Sequence, residues 1–177
     1  MRITGGTKRG FIIKRVLSDD TRETSDMVKV AVFNMLGNLD KKVVLDLFSG
    51  SGAYGLEAFS RGAEHITFVD KQRKAIDVIK ENIHKLDVPN YQVLQMDYKR
   101  FLSDAINRKF DLIFLDPPYN LNVYEEVIKT LEAYTKDEST IVCELIKSNT
   151  LPDRIGSFSK QKEKNYGIKK VIIYEKM

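Results

Sequence analysis

The sequence predicts an α/β fold: a mostly parallel, seven-stranded, doubly wound sheet flanked by helices, with an antiparallel hairpin at its C-terminal edge. Three observations carry this reading. Short apolar runs alternate with segments of helical periodicity. The runs are continuous rather than alternating, as expected for strands covered on both faces. Two turn-forming strings, Gly50-Ser51-Gly52-Ala53-Tyr54-Gly55 and Asp116-Pro117-Pro118-Tyr119, follow the first and fourth runs.

In chain order, Arg2-Ile3-Thr4 and Gly10-Phe11-Ile12-Ile13 read as a small hairpin around Gly5-Gly6. Thr24-Ser25 then caps a helix whose Val28, Ala31, Val32, Met35 and Leu36 face inward. Residues 1–40 are too few to fold alone. They are expected to pack on the sheet as an extension of a single domain, 1–177, with 41–177 as its core. Strands are expected at Val43 to Leu47, Ile66 to Asp70, Tyr91 to Met96, Phe110 to Asp116 and Ser139 to Leu145. Between them Ala75, Ile76, Ile79, Ile83 and Leu86 recur at helical spacing, as do Tyr124, Val127, Ile128 and Leu131. Phe158 to Tyr166 and Lys170 to Tyr174, joined at Gly167, complete the sheet.

With 177 residues, 42% hydrophobic and 31% charged, the chain suits one globular domain with a real core. It has no run of about 18 apolar residues, so no membrane-spanning helix is expected. The start, Met1-Arg2-Ile3-Thr4-Gly5-Gly6, lacks the apolar stretch of a signal peptide, and a cytoplasmic location is expected. Cys143, the single cysteine, sits in an apolar run and reads as a buried small hydrophobe. Two histidines, His65 and His84, without a Cys/His cluster give no expectation of a metal site. Charge is uneven: of the net +4, residues 1–15 carry +5, residues 154–177 carry +5, and the middle carries −6. Basic ends on an acidic body suit a polyanion held beside the core; the same counts also describe two solvated surfaces.

The Asp116-Pro117-Pro118-Tyr119 string is poor packing material. Neither proline donates a backbone hydrogen bond, each fixes its φ, and the residue before a proline is pushed toward extended geometry. The loop therefore holds one carboxylate, one carbonyl and one ring in fixed relation at a strand's carboxyl end, where open α/β sheets bind ligands. A helix cap at Asp116 would not require Pro117 and Pro118 behind it. Tyr119 also suits plain loop packing.

The glycine loop, with Asp70 ending the next strand, fits a dinucleotide fingerprint in which that acid accepts from ribose hydroxyls. Asp46 argues against it. A carboxylate so near the loop repels a pyrophosphate and attracts a cationic amino-acid moiety. S-adenosylmethionine (AdoMet) carries an ammonium and a sulfonium and no phosphate. The expected cofactor contacts are Asp46, Phe48, Ser49, Gly50, Ser51, Gly52 and Asp70, the glycines allowing close backbone approach. Asp97 can accept from the adenine amine and Lys71 can lie along the ring, although both also read as solvated surface.

Asp46-x-Phe48-Ser49-Gly50-x-Gly52 with a downstream Asp-Pro-Pro-Tyr resembles the Rossmann-like class I AdoMet-dependent methyltransferases, in which [DN]-P-P-[YF] marks enzymes acting on exocyclic or planar nitrogens. The N-terminal segment narrows this. Arg2-Ile3-Thr4-Gly5-Gly6, Arg9-Gly10, Arg22-x-Thr24-x-Asp26-x-Val28 and Phe33-Asn34 resemble the RsmD family. Leu45 to Ala53, Gly55-Leu56-Glu57-Ala58, Ser60-Arg61-Gly62-Ala63 and Phe110 to Pro118 continue the match. Departures are Arg22-Glu23-Thr24, where the family often has Arg-Pro-Thr, and Met27 in place of a basic residue.

The resemblance implies methylation of the N2 amine of one guanine in 16S ribosomal RNA. The implied partner is the small ribosomal subunit or an assembly intermediate; separately, no membrane partner and a monomer are expected. Asp116 and the Pro117 carbonyl would accept from the amine hydrogens, Pro118 would stiffen the loop, and Tyr119 would stack on the base. Arg2, Lys8, Arg9, Arg22 and Lys29 are candidate phosphate contacts, each also readable as plain surface. Alternatives are an adenine-N6 methyltransferase, which shares the tetrapeptide, an NAD-linked oxidoreductase, and a non-catalytic ribosome-assembly protein that binds RNA.

Overall fold

The structure, a computed structural model, describes residues 1–17, 25–104 and 107–177. Its strands are β1 (Val43–Leu47), β2 (His65–Asp70), β3 (Tyr91–Gln95), β4 (Phe110–Leu115), β5 (Thr135–Ile146), β6 (Arg154–Ile155), β7 (Phe158–Tyr166) and β8 (Lys169–Lys176). They form one sheet in the order β3-β2-β1-β4-β5-β8-β7-β6. The first five are parallel, and β8, β7 and β6 pair antiparallel. The helices are α1 (Asp26–Leu36), α2 (Ala53–Ser60), α3 (Arg73–Leu86), α4 (Tyr98–Ser103) and α5 (Tyr124–Leu131).

The sheet thus has eight strands among the described residues, one more than the expected seven. Two-residue β6 and six-residue α4 are too short to leave a periodic signature. β5 starts before the expected Ser139 because residues 136–138 bulge between the paired Thr135 and Thr140, with Glu138 at φ 64°.

Alternate residues of the continuous runs point into two separate cores. On β4, Leu112 and Phe114 join the cluster containing Val32, Leu56 and Ile79 of α1, α2 and α3. Ile113 and Leu115 join Phe101 of α4 and Val127 and Ile128 of α5. Burying each such side chain contributes roughly 1.5–3 kcal/mol. Cys143 is fully buried in the second cluster, and burial pushes its thiol pKa up. No helix among the described residues is long and apolar enough to cross a membrane.

The N-terminal hairpin is reduced to one antiparallel bridge, Arg2 to Ile12, with Ile3 N–H donating to Phe11 and Gly10 N–H to Ile3. Side chains hold it to α2. The fully buried Glu57 carboxylate accepts from Thr4 N (2.9 Å), Thr4 Oγ1 (2.7 Å) and Arg61 Nε (2.8 Å). Ser60 Oγ donates to Gly5 O (2.6 Å) and accepts from Lys8 N (2.9 Å). A Cβ on Gly6 (φ 76°) would stand 1.7 Å from Ser60 O. Gly6→Ala should therefore unseat the hairpin and cost about 2–4 kcal/mol, read as a lower thermal midpoint. A wild-type midpoint would show that this contact does not anchor the segment.

Ser25 caps α1, its Oγ accepting from Val28 N (3.2 Å). Thr24 and Arg22 lie outside the described residues. Val28 and Val32 face inward as expected, joined by Phe33, while Ala31, Met35 and Leu36 are half-buried. Lys29 corrects the reading of the sequence. It is fully buried, donates to Arg2 O (2.5 Å) and pairs with Glu57 (3.3 Å), so it cannot reach a phosphate.

The basic C-terminal end is likewise partly consumed within the fold. Lys169 pairs with Glu144, Lys170 with Glu163 (2.9 Å), and Lys160 with Glu163 and Asp153. Far less of that charge faces solvent than the count of lysines suggested.

Candidate active site

The carboxyl ends of β1, β2, β3 and β4 open into one cleft. Its walls include Asp46, Phe48, Ser49, Gly50, Ser51, Asp70, Lys71 and Asp97 from the first three strand ends, and Asp116, Pro117, Pro118 and Tyr119 from the fourth. Both halves of the sequence-derived site therefore meet, apart from Gly52. That residue starts α2 in the left-handed region (φ 81°), against Phe68 and Ile79. Gly55 packs tighter still: a Cβ there would lie 2.3 Å from the Phe68 ring. It serves helix-to-strand packing.

The loop after β1 is pinned by its own backbone. Phe48 N–H and Ser49 N–H both donate to Val69 O (3.0 Å each), Gly50 N–H to Asp70 Oδ2 (2.9 Å), and Gly52 N–H to Ser49 O (2.7 Å). Gly55 N–H donates to Asp46 Oδ2 (2.9 Å), and Ser49 Oγ, itself buried, to Asp46 O (2.5 Å). Protein acceptors thus take five N–H groups of this segment that an anion could otherwise use.

Asp46 is 3% exposed. Burial, opposed by the Gly55 N–H and reinforced by Asp70, pushes its carboxyl up to about 7. Asp70 orders the loop, its Oδ1 accepting from Gln72 N (2.9 Å), and carboxylate oxygens keep capacity for a further donor. Asp97 is exposed and caps α4 by accepting from Lys99 N (2.8 Å). Beside it Phe48 and Tyr98 pack at 5.2 Å, forming an aromatic wall.

At the far side Asp116 is half-buried, Pro117 buried and Pro118 exposed. Pro118 O accepts from Leu121 N (2.8 Å) in a tight turn, and α5 begins only at Tyr124, so Asp116 is not its cap. The half-buried Tyr119 hydrogen-bonds Lys169; burial raises its hydroxyl pKa, opposed by the Lys169 charge. Of the expected phosphate contacts, Arg9 is exposed, Lys8 lies over the Phe11 ring at 5.6 Å, and Arg2 is exposed beside Asp26 (3.8 Å).

A family model described as "Conserved hypothetical protein 95" matches residues 1–175. The chain is 38% identical to "Putative rRNA methyltransferase YlbH" of Bacillus subtilis, across 99% of each chain. It is 32% identical to "Ribosomal RNA small subunit methyltransferase D" of Haemophilus influenzae, covering 99% of this chain and 93% of that one. The chain belongs to the RsmD family. A solved structure, "Putative methyltransferase yhhF from Escherichia coli", superposes with a TM-score of 0.90 at 31% identity, over 99% of this chain and 97% of that one. The fold is thus shared with that methyltransferase over nearly the whole chain.

This RsmD-family cleft also contains residues that the sequence did not disclose. Met1 and Val16 line it, brought there by the hairpin and by Lys14 N donating to Asn82 Oδ1 (2.7 Å) on α3. Tyr54 and Tyr98 were readable only as neighbours of the motif glycines and of Asp97. Behind the cleft lie Glu144 and Lys169, of which Glu144 left one signal, an isolated acid inside an apolar run. Lys169 left none, since it sits among other lysines.

Proposed function

We propose that this chain transfers a methyl group from AdoMet to the N2 amine of a guanine in 16S ribosomal RNA. The observation that carries the reading is the shared cleft: an acid-lined pocket, with Asp46, Asp70 and Asp97 on its wall, that also holds the carboxylate of a rigid Asp-Pro-Pro-Tyr loop. Such a pocket suits a cationic, phosphate-free cofactor. When bound, AdoMet supplies an electrophilic methyl group on its sulfonium. Asp46 would meet the cofactor's cationic end, Asp70 the ribose hydroxyls, and Asp97 and Lys71 the adenine. Gly50, Ser51 and Phe48 give close backbone and ring contact.

The guanine amine is a weak nucleophile because its lone pair is delocalised into the ring. Asp116 and the Pro117 carbonyl accept from its two hydrogens, drawing the nitrogen toward pyramidal geometry. Tyr119 stacks on the base, which leaves its own stack to enter, and such a contact contributes about 1–3 kcal/mol. Most of the acceleration then comes from alignment of nitrogen and methyl group.

In this reading residues 1–40 guide RNA to the 41–177 core within one domain. The enzyme acts as a cytoplasmic monomer on the small subunit or its assembly intermediate. Lys8 and Arg9 on the hairpin loop are the leading phosphate contacts, with Arg2 beside them. Replacing Lys8 and Arg9 with Gln should weaken RNA binding and flatten the log K against log salt slope by about 1–2. An unchanged slope returns them to plain surface. Calorimetry tests the pocket itself: AdoMet should bind and NAD should not, whereas tight NAD binding would restore the oxidoreductase.

A further inference from the structure

Behind the Asp-Pro-Pro-Tyr loop lies a buried charged network that the transfer chemistry above does not use. Glu144, near the end of β5, is 1% exposed, and Lys169, at the start of β8, is 8% exposed. Lys169 Nζ pairs with Glu144 Oε1, and Tyr54 OH donates to Glu144 Oε2 (2.6 Å). Tyr124 OH donates to the Glu144 backbone carbonyl (2.6 Å). Tyr54 lines the cofactor side of the cleft and stacks on Phe114 of β4, centroids 4.6 Å apart and planes at 14°. At the other end, the Lys169 ammonium hydrogen-bonds Tyr119 and lies within electrostatic reach of Asp116.

Burying an ion pair is a weak way to stabilise a fold, because desolvation offsets the attraction and an apolar pair of similar volume does as well. This pair sits where three strand ends converge on the catalytic loop, and each member holds a ring of the cleft. Glu144 holds Tyr54 on the cofactor side, and Lys169 holds Tyr119 on the base side. An ammonium with several rotatable donors can bond a carboxylate and a phenol at once while its charge draws in a second carboxylate.

We propose that Lys169 is a positioning residue for methyl transfer: held by Glu144, it fixes the Tyr119 ring within electrostatic reach of Asp116, keeping the stacking platform and the amine acceptor in one arrangement. The proposal rests on the methyltransferase reading above. Lys169 acts through Tyr119 and Asp116, so its loss changes turnover rather than cofactor binding.

The test is a double-mutant cycle on methyl transfer to small-subunit RNA. Lys169→Met alone leaves Glu144 buried without its cation, so Glu144→Gln/Lys169→Met is made alongside it, removing both charges. In the folded double variant kcat should fall about 100-fold, the scale of an ångström-level misplacement, with AdoMet affinity within about twofold of wild type. Adding Tyr119→Phe to Lys169→Met should cost little more, because both remove one hydrogen bond. A folded double variant with wild-type kcat overturns the proposal, as does strict additivity of Lys169→Met and Tyr119→Phe. Wild-type protein that binds AdoMet yet methylates no RNA would instead overturn the functional reading beneath it.

Discussion

Asp116→Ala should lower methyl transfer to ribosomal RNA by about 10²–10³-fold, while AdoMet affinity stays within about threefold of wild type. The split follows from where Asp116 stands. It follows β4, the strand paired with β1, and the hydrogen bonds of Asp46 and Asp70 hold the glycine loop without it. Removing the carboxylate removes an acceptor that matters most as the amine pyramidalises, the kind of contact that raises kcat rather than ground-state binding. Asp116→Asn retains one acceptor oxygen and should fall between. Rapid-quench transfer with labelled AdoMet separates the two parameters, and equal activity in the alanine variant would end the proposed role.

Asp46→Asn carries the second large effect, and its two consequences have opposite sign. Asp46 has its carboxyl pushed up to about 7 from 3.8 by burial. A carboxyl raised on folding leaves stability undiminished below the unfolded value and removes it as pH rises through the folded value. Three pKa units correspond to about 4 kcal/mol against the apo fold at pH 8, and less at pH 5. Asn retains an acceptor for the Gly55 N–H without the charge, so the variant should melt higher than wild type at pH 8, with a smaller gain at pH 5. It should also lose at least about tenfold in AdoMet affinity, because the cationic end of the cofactor has lost its carboxylate. In wild type, AdoMet binding should tighten from pH 6 to 8 and release a proton, seen as buffer-dependent calorimetric heats. PH-independent affinity would separate Asp46 from the cofactor's charge.

What the sequence disclosed and what it hid divide along one physical line. Strands β1, β2, β4 and the second half of β5 were legible because burial on both faces writes a continuous apolar run, whereas edge strand β3 is largely exposed. Asp116-Pro117-Pro118-Tyr119 and the glycine loop were legible because backbone restraint writes itself into adjacent residues. Lys29 and Lys169 were not. Each is a lysine whose partner, Glu57 or Glu144, is distant in the chain and reaches it only through the packing of α1 on α2 or of β8 on β5. Read locally, a lysine is surface; paired in three dimensions, it is core. The same holds for Met1 and Val16, placed at the cleft by contacts to α2 and α3 that no local pattern encodes.

In the proposed reaction one cleft brings a methyl donor to an exocyclic guanine amine. Labelled AdoMet offered with unmodified small subunits, free 16S ribosomal RNA and DNA side by side, followed by nucleoside analysis, tests it most directly. The predicted product is N2-methylguanosine in ribosomal RNA, with none in DNA. N6-methyladenosine as the sole product, or label in DNA alone, would contradict the account.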